Sequence, residues 1–372
     1  MTTLKCTRFA EALLAGCVLL TGCQPQSGLV IAPRARAVSQ PVAVNEVQDA
    51  AIWIHPTDPA KSLLLITNEK RGLEVHDLGG LLLKHVDNGI EPCYVDIVYE
   101  FSLKGRTVDL ALASCMAPDS AGVRVWQIDP ASRKLLDVTA GRVIEVLDGR
   151  PPVGLCAYHS RKTGKSFVFV TLREGPVEQY ELFETPEGRV SGRRVRQFAL
   201  AGEVKSCMAD DEFGVVYVAE DDVGVWRFPA EPDAAPKGTC VIKVGENGLV
   251  PNAKGPAIYH ASGGRGYLLV VSQGSKGAHT CVKVYERGGD NRFLLTIDPS
   301  PAGFGALDHC SGLAVANQPT IAQFPQGVLA LNDQINPNAS EDFKLYCWGE
   351  IARMGGLLID TTWSPRPSRA RR

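Results

Sequence analysis

Residues 49–78 read "DAAIWIHPTDPAKSLLLITNEKRGLEVHDL". Three short apolar runs are separated by turn residues. "DAAIWIH" stops at Pro56, "SLLLITNEKRG" stops at Gly72, and "LEVHDL" follows. Runs this short, rich in Ile, Leu and Val and broken by Pro, Asp and Gly, read as strands joined by turns. The pattern then returns. A second pass gives "YVDIVYEF", "VDLALAS" and "GVRVWQID"; a third "GLCAYHS", "SFVFVTLREG" and "VEQYELF"; a fourth "CMADDEFG", "VVYVAEDD" and "GVWRFPA". "PAIYHA", "GYLLVVSQG" and "CVKVYER" make a fifth, and "GLAVAN", "GVLALNDQ" and "FKLYCWGE" a sixth. Most units add a fourth apolar piece, such as "LLLKHV", "VRQFAL", "CVIKV" or "FLLTID".

No unit is large enough to bury both faces of its own sheet. Six units closed into a ring bury them mutually and protect the strand edges. The expected fold is therefore all-β, a six-bladed β-propeller with about four antiparallel strands per blade. Two packed β-sandwich domains would need a linker between them, and none is visible. The segment "ARAVSQPVAVNEV" before Gln48 is placed to add a strand to the last blade and lock the ring. In such a ring the first strand of each blade lines the central channel. The chemistry then depends on which side chains stand at the six channel ends of those strands.

The chain has 372 residues and a net charge of −2, with 45% hydrophobic residues. That balance speaks against a nucleic-acid binder. The N-terminus carries Lys5 and Arg8, then "ALLAGCVLL", which is too short to span a bilayer, then "LTGC" ending at Cys23. This resembles a bacterial lipoprotein signal. It implies a signal over 1–22, a lipidated Cys23 with a tether over 23–44, a propeller over 45–362 and a basic tail over 363–372. Export, with lipid anchoring in the cell envelope at the outer membrane or its periplasmic face, is the expectation. The membrane is met only through the N-terminal lipid, and the expected state is a monomer. Eight cysteines remain beyond Cys23, which permits disulfides in an oxidising compartment; Cys93 with Cys115 is the favoured pair. A buried thiol is the alternative for each.

Taken together, "IWIHPTDPAKSLLLITNEKRGLEVHDL", "YHSRKTGKSFVFVTLREGPVEQYEL", "ADDEFGVVYVAEDDVGVWRFPAEP" and "GRGYLLVVSQGS" resemble the β-propeller phytases. The resemblance covers residues 46–348. It implies a calcium-dependent phosphatase acting on inositol hexakisphosphate, phytate, at a channel mouth lined with acids. Calcium takes hard oxygen ligands, activates a water and steadies the transferring phosphoryl group. By resemblance the calcium ligands fall at Asp49, Asp96, Asp221, Gln273 and Asp333, with Glu220 beside Asp221. The phosphate-gripping cations fall at Lys70 and Arg173. Asp221, Glu220, Lys70 and Arg173 form the candidate catalytic set.

The chain departs from the family at the mouth. Lys205-Ser206 stands where the family has Glu-Gly, and Asn252-Ala253-Lys254-Gly255 where it has Asp-x-Glu-Gly. Ser311-Gly312 replaces Asp-Gly, Val153-Gly154 replaces Tyr-Gly, and Met116 replaces an Arg. An ammonium has no acceptor to offer a hard cation and repels it. Three functions follow for test: a phosphatase with a reduced metal set; a metal-independent anion binder using Lys70, Arg71, Arg173, Lys205 and Lys254; or a lipid-anchored protein scaffold. Asp210, Asp211 and Glu212 read as a solvated hairpin turn. His55 and His159 read as structural. "GSKGAHT" is a loop, because no strand feeds it into a helix.

Overall fold

A computed structural model of the chain describes residues 28–40, 46–86, 89–146, 150–274, 280–300, 307, 309–334 and 341–366. Six sheets are present. Strands β3 (Val47–Trp53), β4 (Leu63–Asn68), β5 (Gly72–Asp77) and β6 (Leu82–Val86) make blade 1. Blade 2 holds β7 (Pro92–Leu103), β8 (Arg106–Cys115), β9 (Gly122–Asp129) and β10 (Lys134–Asp137). In blade 3 the strands are β11 (Pro152–His159), β12 (Ser166–Leu172), β13 (Pro176–Glu184) and β14 (Val190–Ala199). Blade 4 follows with β15 (Val204–Asp210), β16 (Val215–Glu220), β17 (Gly224–Pro229) and β18 (Thr239–Lys243). Next come β19 (Ala253–Ala261), β20 (Arg265–Ser272), β21 (Cys281–Glu286) and β22 (Phe293–Ile297) of blade 5. Blade 6 takes β23 (Leu313–Ala316), β24 (Val328–Asp333) and β25 (Asp342–Cys347) from the end of the chain. The fold is the six-bladed β-propeller.

The fourth strand of blade 6 comes from the other end of the chain. Strand β2 (Ala35–Val38) pairs antiparallel with β25, Ala35 opposite Tyr346 and Val38 opposite Lys344. This is the closure expected of "ARAVSQPVAVNEV". Two features were not foreseen. Strand β1 (Leu29–Ile31) adds a parallel fifth strand to blade 5, along β22. The run read as the strand "FKLYCWGE" ends at Cys347, and Trp348 opens the helix α1 (Trp348–Gly355). Trp348 stacks on Tyr259, centroids 4.0 Å apart, so its large ring packs between blades 5 and 6. No helix among the described residues is long and apolar enough to cross a membrane.

The core lies between blades. Leu65 and Val75 of blade 1 pack with Ala111 and Trp126 of blade 2, all at most 1% exposed. Each fully buried Leu of this kind contributes about 2 kcal/mol. The sandwich of neighbouring sheets also decides the cysteines. Pro92, not Cys93, is the register partner of Cys115. Successive side chains on a strand face opposite ways. Cys93 therefore packs towards blade 3 and Cys115 towards blade 1, and the expected disulfide is not formed. All eight described cysteines are free thiols. Cys23 lies outside the described residues.

Candidate functional site at the upper channel mouth

The six inner strands β3, β7, β11, β15, β19 and β23 surround a channel with a cavity of about 710 Å³. They all start at one mouth, here the upper one. At five of these starts the register slips against the neighbouring strand: Val47/Ala50, Pro92/Val95, Pro152/Gly154, Val204/Ser206 and Lys254/Ala257. A bulge re-aims the side chains beside it. Asp49, Tyr94, Lys205 and Lys254 stand at or within these slips. Close approach of the strands is possible because of glycine at 154, where a Cβ would lie 2.2 Å from the Lys205 carbonyl oxygen.

Asp221 is held at the turn after β16. Its N–H donates to the Glu203 carbonyl at 2.9 Å, and its carbonyl accepts from Ala253 N–H at 3.0 Å. The side chain is buried, and Lys205 Nζ lies 3.0 Å from its Oδ2 and 3.0 Å from Glu203 Oε1. Lys254, only 7% exposed, donates to Gln273 Oε1 at 2.9 Å. Gln273 is fixed in turn, its Nε2 donating to the carbonyls of His309 and Cys310. Burial raises the Asp221 pKa against the pull of Lys205 and Lys254. Burial, reinforced by Lys205, lowers that of Lys254. For Lys205 burial works downward, but Asp221 and Glu203 outweigh it and the pKa rises. The Lys205 ammonium thus sits where a cation bound between Asp221 and Glu203 would sit.

The remaining residues of the expected calcium set do not converge on Asp221. Asp49 Oδ2 accepts from Val95 N–H, and burial raises its pKa well above the carboxylate range. Asp96 lies farther along β7 and accepts from Ile97 N–H at 2.7 Å and Ala157 N–H at 2.8 Å; burial puts its pKa at about 6. Asp333 is buried against the Lys344 ammonium. Among the described residues no group of three His, Cys, Asp or Glu is arranged to hold a metal ion. With an ammonium on Asp221 and a second beside it, these residues do not fit a calcium ion at that position.

Glu220 does not belong to the mouth. Its Oε1 accepts from Gly202 N–H at 2.5 Å and its Oε2 from the Trp226 indole at 2.7 Å. It fastens a turn, and the catalytic role expected for it is withdrawn. Arg71 points outward along blade 1 and donates to His85 Nε2, so it is not among the mouth cations. Lys70 and Arg173 stand on the rim, half or more exposed, each 3.9 Å from a carboxylate, Glu46 and Glu203 respectively.

Three features escaped the sequence. Glu69 and Glu46 form a carboxyl pair on the blade 1 side, and burial together with Glu46 lifts Glu69 to about 7. Tyr94 spans the ring from blade 2: its hydroxyl donates to Ser311 O of blade 6 at 3.2 Å and is within hydrogen-bonding reach of Ser206 of blade 4. Ser206 Oγ accepts from Gly255 N–H of blade 5 at 3.0 Å. A Tyr next to a bulge is a detectable signal; its span across the ring is not. Finally, the acids at 210–212 form a turn but not a solvated one. Asp210 is fully buried and held by a two-pronged bond from Arg287, each prong 2.6 Å, and Arg287 also reaches Glu212 at 2.6 Å. Asp211 Oδ1 accepts from His159 N–H at 2.9 Å, and burial sets its pKa at about 7.

The chain was compared with known proteins for likeness of structure, sequence and family profile. The "Dos1 propeller" structure matches with a TM-score of 0.40 at 13% identity, over 82% of this chain and 68% of its own. The "3-phytase" of Bacillus subtilis (strain 168) is 33% identical over 333 residues, covering 88% of this chain and 86% of that protein. The profile of the Phytase family matches residues 25–369. On that match, which spans the whole ring, the chain belongs to the phytase family.

Proposed function

We propose that the upper mouth binds phosphate esters of a polyol, phytate among them, with Lys205 and Lys254 as fixed cations in place of a calcium ion at Asp221. The observation that carries this is the Lys205 ammonium seated 3.0 Å from both Asp221 and Glu203, with Lys254 buried beside it. A phosphate above this cluster meets two ammonium donors already desolvated, where charge-assisted hydrogen bonds are strongest. Lys70 and Arg173 on the rim supply steering charge. The family's activity, hydrolysis of phosphate esters, is the second reading, favoured by the similarity to a 3-phytase and by the Glu46–Glu69 carboxyl pair on the opposite side of the mouth.

Titration calorimetry with phytate, with and without a chelator, separates the two readings. Binding unchanged by chelation, and weakened about tenfold or more by Lys205→Glu, is expected. Binding abolished by chelation overturns the proposal. Release of inorganic phosphate on adding calcium assigns hydrolysis to the same mouth.

A further inference from the structure

At the lower mouth, residues 360–366 cross the channel as a strap. Asp360 N–H donates to the Tyr259 hydroxyl at 2.9 Å, and Asp360 Oδ2 accepts from Ser262 N–H at 2.8 Å. Asn317 Nδ2 donates to the carbonyls of Asp360 and Trp363 at 2.8 and 3.1 Å. The Trp363 indole lies flat on His260, centroids 4.2 Å apart and planes 8° from parallel, and its N–H donates to Glu212 at 3.3 Å. Arg366 places its guanidinium 4.7 Å from the Tyr99 ring centre. It donates to the Ile54 carbonyl at 2.7 Å and to Asp109. The basic tail expected over 363–372 is not a free tail throughout: Trp363 to Arg366 are seated in specific contacts, and 367–372 lie outside the described residues.

The groups that receive the strap are held without it. Asp109 accepts from the Trp53 indole at 2.8 Å and from Glu100 N–H at 3.1 Å. The Tyr99 hydroxyl is engaged with the backbone at Ile52 and Ile54. Glu212 is set by Arg287, whose guanidinium is itself fixed on Asp210. A flat aromatic slot with an acceptor at its edge, and a guanidinium slot built from a ring face, a carboxylate and a carbonyl, are therefore prepared at a fixed separation. Both are recognition elements for specific side chains. We propose that the lower mouth is a peptide-recognition site for a Trp-x-x-Arg segment, and that the chain's own residues 363–366 are its resident ligand.

The full chain carrying Trp363→Ala with Arg366→Ala leaves both slots vacant. A labelled peptide of residues 359–368 should bind this variant and should bind the wild-type chain at least about tenfold more weakly, because there the site is filled in cis. Tyr99→Leu in the same variant should reduce peptide affinity by about tenfold. Equal peptide binding by wild type and variant, or none by a variant that still melts cooperatively, overturns the proposal. Amide exchange on the wild-type chain is the second measurement. Residues 360–366 should exchange at least about tenfold more slowly than an unstructured peptide, and unprotected exchange there also overturns it.

Discussion

Two neighbouring acids show how far residue identity determines role. Glu220 and Asp221 are adjacent and both buried, yet one closes a turn and the other faces two ammonium groups. Glu220→Ala leaves the Gly202 N–H and the Trp226 indole without their acceptor. We expect a loss of about 3 kcal/mol in chemical denaturation, with phytate affinity unchanged. A drop in affinity at unchanged stability would return Glu220 to the site. The resemblance was enough to single out Lys205 and Lys254, because residue type at a motif position suffices to see an ammonium where the family pattern has a carboxylate. It could not show which carboxylate each lysine meets. It also could not show that Arg71 turns to His85 rather than to the mouth, since side-chain direction on a loop is set by its neighbours.

At the scale of elements, the strands were legible because period-two patterning and turn residues are local properties. Strand partners were less so. The Cys93–Cys115 pair failed on a single step of register, which moves a side chain to the other face of the sheet. The ring closure through β2 was legible, and it rests on few bonds. Ser39, just beyond β2, donates its N–H to Phe343 O at 2.8 Å and accepts from Phe343 N–H on its Oγ at 2.8 Å. Ser39→Pro removes the donor and the hydroxyl together. A loss of at least about 3 kcal/mol in urea denaturation is expected, with faster amide exchange in β25 than in blade 3. Unaltered exchange in β25 would show that the closure does not depend on this bond pair.

For the whole molecule, the channel wall carries acids whose neutral form is favoured in the fold. Asp96 at about 6 and Asp211 at about 7 are both above the ordinary value near 3.8. Between about pH 4 and about pH 7 the folded chain therefore holds more protons at these sites than the unfolded chain. Their stabilising contribution is full at the acidic end of that window and is lost as the pH rises through it. His260, pushed down to about 3 by burial, acts in the opposite sense, so a comparison isolates the carboxyl. The melting-temperature advantage of wild type over Asp211→Asn should be largest at about pH 4 and smallest above about pH 7. An advantage that grows with pH would mean that Asp211 is ionised throughout. The setting of Asp211 was not readable from "CMADDEFG", because the partners of the three acids, Arg287, His159 and Trp363, are all distant in sequence.

The span of Tyr94 across the ring has a kinetic meaning. A tube open at both faces would let one molecule arrive from above while another departs below. With the Tyr94 hydroxyl bonded to Ser311 across the upper end, and the strap across the lower, the ligand proposed for the upper mouth would arrive and depart by one doorway. A resident ligand must leave before its successor can dock. Its residence time is then a property of the mouth alone, and an excess of competitor does not shorten it.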